Sequence, residues 1–213
     1  MSDRTRALRM LSACNLALVR AEDEDDLFRE LCRIIVETGG FRMAWVGLAL
    51  PDETKSVRPA AWHGIEDGYL ENLGITWADT ERGRGPVGTA IRTGRPVVCR
   101  DFQTDPALAP WREAAAKRGY ASMIAMPLLA GQNALGALAI YSDKPDAFDE
   151  NEAGLLLELA DDLAFGIRAL RTRAERDAAH EQLAEAYADV EQQVLERTRE
   201  LSDAIAALRR EVA

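Results

Sequence analysis

The first forty residues contain two segments with apolar side chains at helical spacing. In residues 4–20, Leu8, Leu11 and Leu18 fall on one helical face, which predicts an amphipathic helix. Residues 21–40 begin with acidic side chains and end in two glycines. Acids suit the positive N-terminal end of a helix dipole and glycine suits a C-terminal cap, so this segment predicts a second helix.

From Phe41 onward the pattern changes to short apolar runs that are typical of β-strands. Turn signals such as Pro51-Asp52 and Gly131-Gln132-Asn133 separate several of them, and short helical segments at 66–73 and 105–118 interrupt the series. Because hairpins or short excursions join most runs, we expect an α+β fold with a largely antiparallel sheet. The pattern predicts five or six strands, at residues 41–50, 56–64, 75–77, 96–100, 122–129 and 134–142.

The residue pattern in the last third of the chain predicts one long helix. Asp149 and Glu152 form a capping box, and neither glycine nor proline occurs after Gly166. Residues 171–182 have almost no apolar seam, but a seam with heptad spacing and one stutter follows. A parallel coiled-coil dimer would bury it; the alternative is a single charged helix that frays. The seam comprises Leu183, Tyr187, Val190, Val194, Thr198, Leu201, Ile205, Leu208 and Val212.

Composition and charge limit the classes of partner. Hydrophobic residues make up 47% and charged residues 29%, as in soluble globular proteins, and the net charge is −10. An acidic chain lacks the basic footprint that nucleic acids or anionic membranes require, so we expect neither partner. The most apolar stretch, 122–141, is broken by Pro127 and by a turn, and no secretory segment opens the chain.

The cysteines and histidines suggest no metal site. Cys14, Cys32 and Cys99 are far apart and lie in apolar runs, which indicates buried thiols in a reducing cytoplasm. The chain has two histidines and no C-x-x-C motif. The acidic run 23–26 is interpreted as a solvated helix start.

The stretch "ERGRGPVGTAIRTGRPVVCRD" contains G-x-G-x-x-G, the spacing of a dinucleotide-binding turn. Polar residues rather than an apolar strand precede Gly83, and Gly94 ends the following helix within two turns. So short a helix cannot cross back over a parallel sheet. Pro86 also removes a backbone donor that a phosphate would need. We therefore interpret the glycines as a tight entry into a short helix.

The same residues resemble a GAF domain. "GRGPVGTAIRTGRPVVCRD" and the later "YASMIAMPLLAGQNALGALAIYSDKPDAFDENEAGLLLELADDLAFGI" carry the resemblance, which covers roughly residues 10–170. "FRMAWVGLAL" resembles the type at the N-terminus of bacterial sensor histidine kinases and diguanylate cyclases. The resemblance implies a six-stranded antiparallel sheet between terminal helices and a roof over a small-molecule pocket. We divide the chain into an N-terminal helix 1–20, a sensory domain 21–170 and a signalling helix 171–213.

Departures from the family pattern argue against several of the ligands and reactions known in GAF domains. Bilin-binding members need a cysteine in the roof, often followed by histidine, but Cys99 is followed by Arg100 in a predicted strand. Free methionine sulfoxide reductases have a cysteine in the glycine stretch and a resolving partner soon after. Here Val87 takes the first position, and no cysteine lies between 100 and 140. Haem is not suggested, and the cofactor stays unknown.

The candidate pocket residues are aromatic or polar side chains in the middle third, where the resemblance places the roof. An equally open interpretation is that most of them fill the core or cover loops. Strand alternation puts Trp62 and His63 on opposite faces, so at most one faces the pocket, and an ordinary partly buried imidazole accounts for His63. The candidates are Trp62, His63, Tyr69, Trp77, Phe102, Trp111 and Tyr120.

Three functional hypotheses follow. The first is a non-catalytic sensory domain that regulates a kinase or cyclase output. It would form a homodimer through the N-terminal helix, the helix over Leu155–Leu170 and the coiled coil over 183–212. The second is a ligand-free dimerisation module with a filled pocket. The third, an enzyme, lacks a nucleophile–base or metal constellation. "LERTREL" resembles linkers before histidine-kinase dimerisation domains, so we expect the sensory front end or partner of a longer kinase or cyclase.

Overall fold

The computed structural model describes residues 3–72, 74–131 and 133–211. Two short 3₁₀ helices, Leu70–Asn72 and Pro106–Trp111, occur between the main elements. In chain order the main helices and strands are α1 (Asp3–Arg20), α2 (Glu24–Glu37), β1 (Met43–Ala49), β2 (Val57–Gly64), α3 (Pro86–Thr93), β3 (Val97–Cys99), α4 (Arg112–Arg118), β4 (Ser122–Ala130), β5 (Asn133–Ser142) and α5 (Glu150–Glu211).

The sheet has five antiparallel strands in the order β2-β1-β5-β4-β3. The sixth strand predicted at 75–77 is not formed, because Thr76 makes only an isolated antiparallel bridge to Ser56, the residue before β2. The Thr76 hydroxyl donates to the carbonyls of Thr54 and Lys55, and the Trp77 indole donates to that of Leu50. These side-chain bonds, with backbone bonds from the Val57 amide to the Ile75 carbonyl and from the Trp77 amide to the Lys55 carbonyl, hold the segment against the β1–β2 turn.

Both faces of the central strands are buried, which explains their continuous apolar runs. Alternate residues of β1 point to opposite sides: Ala44 and Val46 pack with α1, α2 and α5, whereas Met43 and Trp45 pack beneath the segments between β2 and β4. We call the first side the helix face and the second the roof face. The sheet therefore separates two apolar cores.

Local capping signals set several helix ends as predicted. Asp23 is the N-cap of α2, and its carboxylate accepts a 2.8 Å hydrogen bond from the Asp26 amide. Gly94 ends α3 with φ 64°, in the left-handed region. The single helix expected over 105–118 instead divides into a 3₁₀ helix and α4, because Pro110 has no amide hydrogen for an α-helical bond.

Contacts divide the chain into two units, Met1–Leu170 and Arg171–Ala213. In the first unit, α5 buries Leu156, Leu159, Leu163 and Ile167 against the helix face. In the second unit, the described side chains of the predicted seam are exposed in the single chain. Val212 and the side chain of Leu208 lie outside the described part. Among the described residues, no helix combines the length and apolarity needed to span a bilayer.

One pair of glycine substitutions tests the packing of β5 against β1. A Cβ added at Gly136 would overlap the carbonyl oxygen of Gly47, whereas one added at Gly154 in α5 meets no atom within 4 Å. We expect Gly136→Ala to lower the free energy of unfolding by about 1–3 kcal/mol through overpacking. Gly154→Ala should raise it by about 0.5–1 kcal/mol, because alanine favours the helix. Urea unfolding of both variants measures the difference; equal effects would contradict the close approach of the strands.

Candidate functional site

The segments between β2 and β4 enclose a small apolar space on the roof face, which we call the inner pocket. Its walls include the rings of Tyr69, Phe102, Trp111 and Tyr141. The cavity measures about 10 Å³, which is room for roughly one water molecule. The protein's own side chains therefore fill the place where the GAF resemblance implies a ligand.

The glycine stretch explains how this filling is possible. A Cβ added at Gly85 would come within 2.5 Å of the Trp111 ring, so glycine lets the indole lie directly against the start of α3. A Cβ added at Gly83 or at Gly88 would likewise overlap backbone carbonyl oxygens of the preceding turn. The motif thus serves close packing of a turn, a short helix and an indole.

Two arginines hold the roof through backbone carbonyls. The Arg92 Nη1 donates to the carbonyl of Gly83 at 2.9 Å, and to those of Trp77 and Ala78 at 3.3 Å each. The Arg118 Nε donates to the carbonyl of Glu66 at 2.6 Å. No sequence motif marked either arginine, since their partners are carbonyls of distant loops.

Arg118 also links the roof to a cluster of three tyrosines. Its guanidinium carbon lies 5.3 Å from the centroid of the Tyr69 ring. The Tyr69 centroid lies 5.2 Å from that of Tyr120, and the Tyr120 centroid lies 4.7 Å from that of Tyr141. Burial raises the pKa of Tyr141 to about 12 and raises the pKa values of the other two tyrosines. All three phenols are therefore neutral at physiological pH.

The structure brings some of the predicted site residues together. Tyr69, Phe102 and Trp111 line the inner pocket, and Tyr120 packs behind it against Tyr69. Sequence reasoning missed Tyr141, although alternation along β5 places it on the roof face with Ala137 and Ala139.

The other three candidates lie elsewhere. His63 is on the helix face, where its Nε2 lies 3.2 Å from a carboxylate oxygen of Glu37 on α2. Trp77 packs against the β1–β2 turn, and the Lys55 ammonium lies 4.7 Å from its ring centroid. Trp62 is on the roof face but outside the inner pocket, in a second and more open space.

We call this second space the outer groove. It has a volume of about 510 Å³ and lies between β2 and the segment that follows it. Ile75 lines both spaces, so the inner pocket and the outer groove share a wall. The described lining of the outer groove comprises Trp45, Ser56, Val57, Pro59, Trp62, Glu66, Leu70, Glu71, Gly74 and Ile75.

The cysteines are distributed over both cores. Cys14 and Cys32 belong to the core on the helix face, whereas Cys99 belongs to the core on the roof face. Burial raises the pKa of each thiol to about 12, and for Cys99 the carboxylate of Asp105 adds to the rise. The thiolate needed for nucleophilic or redox chemistry is therefore strongly disfavoured in all three.

Solved structures with the same fold include methionine sulfoxide reductases and GAF domains. The free methionine-R-sulfoxide reductase of Neisseria meningitidis, in complex with its substrate, is 22% identical with a TM-score of 0.64, covering 78% of this chain and 91% of that one. The nlh2 GAF domain of A. aeolicus, in an inactive state, is 15% identical with a TM-score of 0.63, covering 79% and 99%. A domain of a putative two-component sensor histidine kinase from Sinorhizobium meliloti is 20% identical with a TM-score of 0.56, covering 74% and 99%.

At these identities the likeness to solved structures shows the fold alone. A comparison with curated protein sequences found no significant match. The GAF domain family model, however, matches residues 21–168, which is more than half of the chain. That match, together with the antiparallel sheet between terminal helices and a loop roof, shows that this chain belongs to the GAF domain family.

Proposed function

We propose that this chain is a non-catalytic regulatory domain that senses a small ligand or partner as a homodimer and passes the signal through a coiled coil to a histidine kinase or cyclase. The proposal rests on how apolar side chains are distributed along α5. The helix buries Leu159 and Leu163 in the domain core and, beyond residue 171, exposes a heptad seam that includes Val190 and Val194. One element thus contributes both to the sensory domain and to a surface that requires a partner helix.

Exposed apolar side chains on α1 and the first part of α5 support the same interface. Leu8 and Val19 on α1 are 56% and 84% exposed, and Phe165 on α5 is 66% exposed. Large apolar side chains on two helices of one domain are typical of a surface that a second subunit covers. The fold shared with a sensor histidine kinase domain supports the choice of output.

The thiol chemistry favours regulation over catalysis. The reductases with this fold act on methionine sulfoxide, a redox reaction that needs reactive thiols. Here Cys99 lies on the opposite side of the sheet from Cys14 and Cys32, and burial holds each thiol protonated. Buried free thiols also support a cytoplasmic location.

The filled inner pocket favours a second candidate function, a ligand-free dimerisation module. A cavity of about 10 Å³ leaves no room for a metabolite unless a wall moves. Trp111 lines the cavity and its ring meets the start of α3 at Gly85, so displacement of this side chain would enlarge the cavity.

A thermal screen distinguishes the two candidates. A ligand present at 100 times its dissociation constant should add about 2.7 kcal/mol to the free energy of unfolding. We therefore expect at least one member of a metabolite library to raise the melting temperature of the full chain. Native mass spectrometry of freshly purified protein would identify a copurified ligand as an adduct that is lost on denaturation. A library without any effect, together with a bare dimer, would favour the ligand-free module.

Substitutions on and beside the seam test the dimer. Val194 lies on the seam, and Leu195 is an exposed apolar residue next to it. We expect Val194→Glu to weaken dimerisation at least about tenfold, because it places a charge in the apolar seam. Leu195→Glu, the matched control, should leave the dimer intact. Light scattering after size-exclusion chromatography measures both. Truncation at Arg171 should abolish dimerisation if the coiled coil drives it, and a truncated form that stays dimeric would move the interface to α1 and the first part of α5. Equal behaviour of the two Glu variants would remove the seam from the interface.

Thiol labelling tests the non-catalytic assignment. With pKa values raised to about 12, fewer than about one thiol in ten thousand is ionised near neutral pH. Iodoacetamide should leave Cys14, Cys32 and Cys99 unmodified in the native protein and modify all three in guanidinium. Mass spectrometry counts the adducts. Rapid native labelling of Cys99 would instead indicate a reactive thiol on the roof face and would favour an enzyme.

A further inference from the structure

The outer groove has the size of a small-molecule site. Its volume of about 510 Å³ falls within the roughly 300–1,000 Å³ typical of ligand pockets, whereas the inner pocket holds about one water molecule. Both spaces are on the roof face of the sheet. Of the two, the outer groove can accept a ligand without rearrangement.

The lining of the outer groove selects for positive charge. Val57, Pro59 and Leu70 provide an apolar surface, and Glu66 and Glu71 provide carboxylates. The described residues that line it include no lysine, arginine or histidine; the guanidinium of Arg82, a residue of the inner pocket, lies next to Gly74. An apolar floor with acidic groups and without a basic one complements a cation that carries an apolar body.

Two side chains in the outer groove lack partners within the described part of the chain. Trp62 is 50% exposed and makes neither a hydrogen bond nor a ring or cation contact there. The carboxylate of Glu71 has no hydrogen-bonding or ionic partner among the same residues. Glu66 is occupied, since it accepts hydrogen bonds from the amides of Gly68 at 2.9 Å and Leu70 at 2.6 Å.

Trp77 is a partly exposed tryptophan whose indole has both a hydrogen-bond acceptor and a cation contact within this chain. The Trp77 Nε1 donates to the Leu50 carbonyl at 2.9 Å, and Lys55 places its ammonium over the ring. At Trp62 the described chain provides neither a carbonyl nor a cation. A bound ligand with an ammonium group would supply the missing cation over the exposed ring face.

A peptide strand is a poorer occupant of this edge. Pro59 has no amide hydrogen to offer a paired strand, and the register of β2 with β1 shifts beside it. Both features disfavour the pairing of an additional strand with this edge of the sheet. The outer groove is therefore better suited to a small molecule than to an extended peptide.

We propose that the outer groove binds a small organic cation, an ammonium group on an apolar or aromatic body. The ammonium packs on the face of Trp62 and is neutralised by Glu71, and the apolar body lies on Val57, Pro59 and Leu70. Because Ile75 lines both spaces, occupancy also changes the wall of the inner pocket. Binding itself does not require the dimer, and only its consequence for signalling depends on the proposed function.

Calorimetric titration of the full chain tests the proposal with two nearly isosteric probes. Benzylamine is a cation near neutral pH, and benzyl alcohol is uncharged. We expect benzylamine to bind at least about fivefold more tightly, and Trp62→Leu and Glu71→Gln each to weaken it about fivefold. Glu191→Gln removes the same charge from an exposed site on α5, outside the outer groove, and should leave the affinity unchanged within about twofold. Circular dichroism confirms that each variant is folded.

Three results would overturn the proposal. They are the absence of benzylamine binding, equal affinity for benzyl alcohol, and affinities of the Trp62 and Glu71 variants that match the wild type. None of these results affects the oligomeric state measured with the seam variants. Failure of the cation site and failure of the proposed regulatory function are therefore distinguishable.

Discussion

Burial of both faces of the central strands is the constraint on which the rest of the structure depends. β1, β4 and β5 are apolar on each side, so each side must be covered. Regular helices cover one side, and loops with short helices cover the other. Loops carry backbone carbonyls that no ladder satisfies, and side-chain donors such as Arg92 and Arg118 bind them instead. A few side chains thus determine the shape of the roof.

The elements of the fold could be predicted from sequence wherever a local signal sets them. An acidic N-cap at Asp23 and a glycine after α3 act within one turn, and apolar runs identify five strands. The prediction of a sixth strand was not confirmed because apolarity at 75–77 does not determine pairing. There, the Thr76 hydroxyl and the Trp77 indole bind the β1–β2 turn, a contact over more than twenty residues that no local pattern encodes.

The candidate site was less predictable because its parts come from separate segments. The GAF resemblance pointed to Tyr69, Phe102 and Trp111 as candidate pocket residues, but it did not reveal that their packing leaves space for about one water molecule. That volume depends on the close approach of Trp111 to Gly85, which is a tertiary contact. Similarly, alternation placed Trp62 and His63 on opposite faces, but the separate groove at Trp62 follows from the path of the chain after β2.

The position of the two cores constrains how any signal leaves the roof. The first part of α5 packs on the helix face, whereas the inner pocket and the outer groove lie on the roof face. A ligand bound on the roof face, as proposed, would reach α5 through the sheet, where Trp45 on one side alternates with Ala44 and Val46 on the other. Close-packed cores respond to such displacements as units rather than by local compression. A small shift of β1 would consequently change the packing of α5, the element that carries the exposed seam.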